Sequence, residues 1–166
     1  MPHPLSTLGI AHTAISLVPL VAGLCSLAIH RRIEPRSTAG RVYVAGLVAS
    51  VLTSFGLSST GGFNPGHALG ILALLALAGA WLVPRIEALG RTRDYLATLA
   101  MSFSFFLLLV PGINETLTRL PPSQPIADGP MSAIVKGTLG VWFLLFLAGA
   151  TLQVIGLRAR RRADIA

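Results

Sequence analysis

Apolar residues fall in five long runs separated by short polar segments, and the runs set the architecture. A helix that crosses the roughly 30 Å of hydrocarbon in a bilayer needs about 20 mostly apolar residues at a rise of about 1.5 Å each. The stretches that meet this length run from Leu8 to Ile29, Val42 to Thr60, Gly66 to Pro84, Tyr95 to Ile113 and Ile134 to Leu157. The pattern predicts an all-α, polytopic membrane helix bundle of five transmembrane helices in a single unit covering residues 1–166. The second run is the least apolar, because Ser50, Thr53, Ser54, Ser58 and Ser59 interrupt it. In lipid such hydroxyls bond back to their own helix or face a neighbouring one.

Within the first run a second pattern appears. His12, Ser16, Pro19, Gly23, Ser26 and His30 recur at spacings of three and four, so they share one helical face. Ile15, Leu17, Val18, Leu24 and Leu27 cover most of the remainder. The small and polar face is predicted to point into the bundle, with Pro19 bending the helix near its middle. Small residues also mark close-approach surfaces on other spans: Gly66 with Gly70 and Ala76 with Ala80 in the third, and Gly137, Gly140, Gly149 and Gly156 in the fifth.

The polar connections alternate in charge. Arg31, Arg32, Arg36 and Arg41 follow the first run; Arg85, Arg91 and Arg93 follow the third; Arg158, Arg160, Arg161 and Arg162 follow the fifth. Only Arg119 and Lys136 lie near the other two connections, so eleven of thirteen basic residues fall on one side of an alternating path. The positive-inside rule then predicts an N-terminus outside the cytoplasm and a C-terminus inside. The opening Met-Pro-His-Pro-Leu-Ser-Thr has no basic region, so the first run is read as a retained helix and not as a cleaved signal. His3 belongs to this tail and His30 to the first basic cluster.

Composition agrees with this reading and excludes others. The chain is 53% hydrophobic and 11% charged, against about a quarter charged in soluble domains. Its net charge of +7 does not mark a nucleic-acid binder, because the cations are confined to short clusters and not spread along a folded face. The lone Cys25 rules out an intramolecular disulfide. The glycine-rich Gly61–Gly66 segment lacks the Lys and Ser/Thr of a phosphate-binding loop and reads as a turn. The connection from Asn114 to Ala133 opens with residues able to extend the fourth helix by two turns, up to Pro121–Pro122, with Glu115 and Arg119 as an i,i+4 pair.

Ionisable groups in a bilayer are expensive, which makes His12, His67 and Glu115 the candidates for chemistry. All three are predicted near the outer face. His12 and His67, on helices that run in the same direction, suit axial ligation of a haem b. The same pair with Glu115 suits a divalent metal such as zinc, or a proton relay. The third reading is structural: His67 caps the third helix, and His12 bonds to a serine or a backbone carbonyl across the bundle. Asn114 and Gln153 complete the polar set, Gln153 as an interhelical hydrogen bond. No nucleophile motif or metal-binding spacing is present, which favours a non-enzymatic subunit whose partners are the lipid bilayer and another membrane protein.

The residues His30-Arg31-Arg32, then Gly40-Arg41-Val42-Tyr43-Val44, a serine-containing span and Gly61-Gly62 resemble bacterial membrane proteins grouped as domain of unknown function 2306, over residues 8–115. Many of those proteins carry a further His-Arg-Arg-type motif before the next span. Here the equivalent stretch is Gly90-Arg91-Thr92-Arg93, with the histidine absent, which weakens any cofactor role at the inner face. The resemblance implies a polytopic bacterial membrane protein and carries no established activity.

Overall fold

A computed structural model describes residues 7–57 and 62–163, so His3, the expected end of the second run at Thr60, and Gly61 lie outside the described residues. The protein is all-helical. The helices are α1 (Thr7–His30), α2 (Thr38–Ser54), α3 (Pro65–Leu82), α4 (Arg93–Arg119) and α5 (Ala133–Ala163), with short 3₁₀ turns at Val83–Arg85 and Glu87–Thr92 between α3 and α4. Four of the five, all but α2, are long and apolar enough to cross a membrane.

Several helix ends depart from the sequence expectation. α2 begins earlier and stops at Ser54, giving 17 residues, or about 25 Å. Ser37 starts it by accepting a bond from the Gly40 amide at 3.0 Å. α4 runs on to Arg119 as its loop sequence allowed, and Glu115 pairs with Arg119 one turn later. α5 continues through its arginines to Ala163. Water-exposed arginine is a good helix former, so loss of hydrophobicity does not by itself end a helix.

α1 and α2 form an antiparallel pair fastened along its length. At one end Ser26, fully buried, accepts a bond from the Glu34 amide at 2.9 Å and donates to the Arg32 carbonyl at 3.2 Å. This clasps the connecting loop and drives Ile33 into the core. Gly40 is needed here, because a Cβ would lie 1.9 Å from the Glu34 carbonyl oxygen. Midway, Ser16 and Ser50 hydroxyls meet at 2.6 Å, and at the far end His12 meets Thr53 at 2.9 Å. From His12 to Ser26 is about 21 Å of helix, so α2 follows α1 through most of its length. The predicted small and polar face of α1 is the packed one. Pro19, Ala22, Gly23 and Ser26 are buried, while Leu17, Val18 and Leu24 are about half exposed.

The core gathers Tyr43, Leu47 and Val51 of α2, Ala73, Leu77 and Ala80 of α3, and Met101 and Phe105 of α4. Tyr43 bonds to Ser104 at 2.7 Å, which satisfies the only polar atom of the largest buried side chain. α5 rests chiefly on α4, through a cluster of Phe103, Phe106, Trp142 and Phe146 and a bond from Ser102 to Gln153 at 2.7 Å. That bond is the one expected of Gln153. The glycines of α5 do not serve this contact: a Cβ at Gly137, Gly140, Gly149 or Gly156 would meet nothing within 4 Å. On α3 the expectation holds at Gly70, where a Cβ would press on Val51 at 3.0 Å.

Candidate functional site

The hydroxyls that interrupt the second run are the hub of the candidate site. Ser50, Thr53 and Ser54 lie at i, i+3 and i+4 on α2, and each bonds back into its own helix, to a neighbour, or both. Thr53 donates its single proton to carbonyls of its own helix, Ala49 at 3.0 Å or Ser50 at 2.9 Å. Its oxygen is therefore left to accept from His12 Nδ1–H at 2.9 Å. In the neutral ring that assignment leaves His12 Nε2 unprotonated, facing Ser16 Oγ at 3.4 Å. Ser16 in turn donates its proton to the His12 carbonyl at 2.8 Å, and its oxygen meets the Ser50 hydroxyl at 2.6 Å.

His67 is held more tightly. It occupies the third position of α3 and closes a reciprocal cap with Asn64: the His67 amide donates to Asn64 Oδ1 at 3.1 Å, and the Asn64 amide donates to His67 Nδ1 at 3.3 Å. With Nδ1 accepting, Nε2 carries the proton and donates to the Ser54 carbonyl at 3.0 Å. That carbonyl, at the end of α2, also accepts from the Leu57 amide at 2.9 Å, so a single imidazole adds a second bond to the end of one helix while capping the start of the next. Phe55 stacks on the ring at 4.8 Å and Phe63 tilts against it at 5.7 Å, leaving His67 4% exposed.

The two histidines thus anchor to adjacent residues of α2, Thr53 and Ser54, through different faces and different chemistry. Ligation of a metal by His67 would release either the Asn64 amide or the Ser54 carbonyl. His12 has the less engaged nitrogen of the two. Glu115 is exposed and paired with Arg119. Among the described residues no group of three or more His, Cys, Asp or Glu side chains is placed to hold a metal ion. Asn114, one residue earlier, buries its Oδ1 without a hydrogen-bond partner.

The sequence pointed to the two histidines and to the α2 hydroxyls but not to their pairing. Knowing that α1 and α2 are antiparallel neighbours would have matched His12 with Thr53 and Ser16 with Ser50. No local signal marks the contact between His67 and the end of α2. Comparison of the chain with known family models, curated proteins and solved structures gives no match.

Proposed function

We propose that this is a non-enzymatic bundle of the bacterial inner membrane, with five spans, an outer N-terminus and a cytoplasmic C-terminus, acting as a subunit or interaction partner of another membrane protein. The observation that carries the reading is α5. It has 31 residues, of which only Val135 is buried, and its main helix contact is with α4. A helix this long that leaves nearly all its surface outside the fold offers that surface to lipid and to a second protein. The polar groups inside the bundle support a structural role as well. His67 uses both ring nitrogens to join two helices, and Gln153 joins two more.

α2 is included as a span because it runs antiparallel to α1, bonds to it through His12–Thr53 and Ser16–Ser50, and enters from a loop clasped by Ser26. The division of eleven basic residues against two supports the orientation. Reporter fusions test the topology. A phosphatase that works only in the periplasm should be active after Gly62 or Pro125 and silent after Pro35, Gly90 or Arg162. Activity after Pro35 overturns the orientation. An absorbance spectrum of the purified protein tests the role: a Soret band that disappears in His12→Ala and His67→Ala variants would replace the structural reading with a haem protein.

A further inference from the structure

Where α4 begins and α5 ends, the two helices part to leave an open hollow of about 650 Å³. Four arginines, Arg91, Arg158, Arg161 and Arg162, line it. Thr92, Tyr95, Leu96 and Val154 form the rest of its wall. A smaller hollow of about 190 Å³ continues beside it along α5, between Arg158 and Arg162 and down to Ile155. We propose that this groove binds an anionic glycerophospholipid, with the headgroup phosphate held by the arginines and an acyl chain laid along the apolar part.

The polarity of the groove runs in one direction on both walls. On α5, Val154 lies one turn, about 6 Å, deeper than Arg158. On α4, which runs the opposite way, Leu96 lies just over a turn deeper than Thr92. The cations therefore cluster at the mouth and the apolar side chains lie toward the hydrophobic interior of the bundle, in the order headgroup then chain. A free phosphate ion would need the first part only, so the apolar continuation decides for a lipid.

The mouth is also built. Arg161 is fixed by Asp94 at 2.6 Å and lies over the Tyr95 ring at 4.8 Å, so one wall is set before anything binds. Arg91, Arg158 and Arg162 make no ion pair among the described residues. Asp94 neutralises one of the four cations, leaving three to meet an anion. Guanidinium groups match phosphate oxygens two at a time, and basic pockets between membrane helices hold anionic headgroups by this means. The proposal rests on the membrane reading above but not on its orientation, because the groove is complete whichever side it faces.

The test titrates the purified full chain in neutral detergent with dioctanoyl phosphatidylglycerol, dioctanoyl phosphatidylcholine and chain-free glycerol phosphate, and reads binding by calorimetry. The anionic lipid should bind saturably and about tenfold more tightly than the zwitterionic one. In the Arg158→Gln/Arg162→Gln variant its affinity should fall roughly thirtyfold, two arginines at their usual worth beside an anionic surface. An Arg36→Gln/Arg41→Gln variant, with its two charges removed elsewhere, should bind as the parent does. Equal affinity for the two lipids, an equal loss in the control variant, or equally tight binding of glycerol phosphate each overturns the proposal. If the glutamine pair lowers the melting temperature without lipid, the Arg158→Lys/Arg162→Lys pair takes its place. It keeps both charges and should still weaken binding several-fold through loss of the fork geometry, and unchanged affinity there refutes the assignment. These measurements are made in detergent, so the fusion experiment can fail while this one succeeds, and the reverse.

Discussion

Replacing Gly23 with leucine tests the packing at the centre of the bundle. A Cβ built at Gly23 lies 2.6 Å from Phe105 Cε2, 2.7 Å from Cδ2 and 3.2 Å from Tyr43 Cδ2. Carbon atoms in ordinary contact sit at about 3.5–4.0 Å, so the phenyl ring must withdraw by about 1 Å before any further atoms are placed. It has little room to do so. Phe105 is 4% exposed and lies between Tyr43 at 6.0 Å and Trp142 at 6.2 Å, centroid to centroid. Tyr43 is itself pinned through its bond to Ser104. Overpacking of this kind costs about 1–3 kcal/mol, and leucine, with three carbons beyond Cβ, belongs at the upper end. Its better helix propensity returns up to about 1 kcal/mol, which leaves a net loss near 2 kcal/mol and a fall in melting temperature of about 4–8 °C for a chain of this size. Leu24, next in sequence but 52% exposed, gives the comparison, and Leu24→Ala should shift the melt by less than half as much. Thermal unfolding in detergent, followed by tryptophan fluorescence, measures both. A further variant isolates the cause: in a Phe105→Leu background the ring edge is gone, and Gly23→Ala should then cost less than it does in the parent. Equal melting of Gly23→Leu and Leu24→Ala, or no relief from Phe105→Leu, would show that this face of α1 is not the tight one.

His67→Ala should destabilise the bundle by about 1–3 kcal/mol, since it leaves the Asn64 amide without its acceptor and the Ser54 carbonyl with the Leu57 amide as its remaining donor. His12→Ala should cost less in the same melting assay, because Thr53 keeps its bonds to its own helix; the reverse order would contradict the assigned roles. For Ser102 and Gln153, a double-mutant cycle with Ser102→Ala and Gln153→Leu should return a coupling of about 0.6 kcal/mol, the usual size for a hydrogen bond between membrane helices, and a coupling of zero would remove that bond from the α4–α5 contact.

Much of the fold was legible because lipid-crossing helices announce themselves by length and composition. The inward face of α1 was legible for a further reason: small and polar side chains at spacings of three and four have no place against lipid, so Ser16, Gly23 and Ser26 had to point inward. The end of α2 was not. Continuing apolar and hydroxyl residues favoured a helix to Thr60, whereas α2 stops at Ser54, where the Gly56 and Leu57 amides close tight turns on Thr53 and Ser54 and a histidine thirteen positions later bonds to the same Ser54 carbonyl. The histidine bond is tertiary and leaves no local trace. The glycines of α5 misled for a related reason: a small residue allows close approach only where a neighbour exists, and α4 lies on another side of that helix. At the candidate site the sequence supplied the right side chains and three readings of them, and it could not choose partners without knowing which helices are adjacent.

The bonds that fasten α1 to α2 also bear on movement. Greasy helices in lipid have no preferred register, since one set of aliphatic contacts is much like the set one turn along. Here Ser26 with the loop amides, Ser16 with Ser50, and His12 with Thr53 act as three pegs at different heights. A slide of one turn, about 5.4 Å, would pull out all three together and leave buried polar groups facing hydrocarbon. The first two helices must therefore travel as one piece. Piston-like sliding is closed to them, and any rearrangement in the bundle has to fall outside that pair.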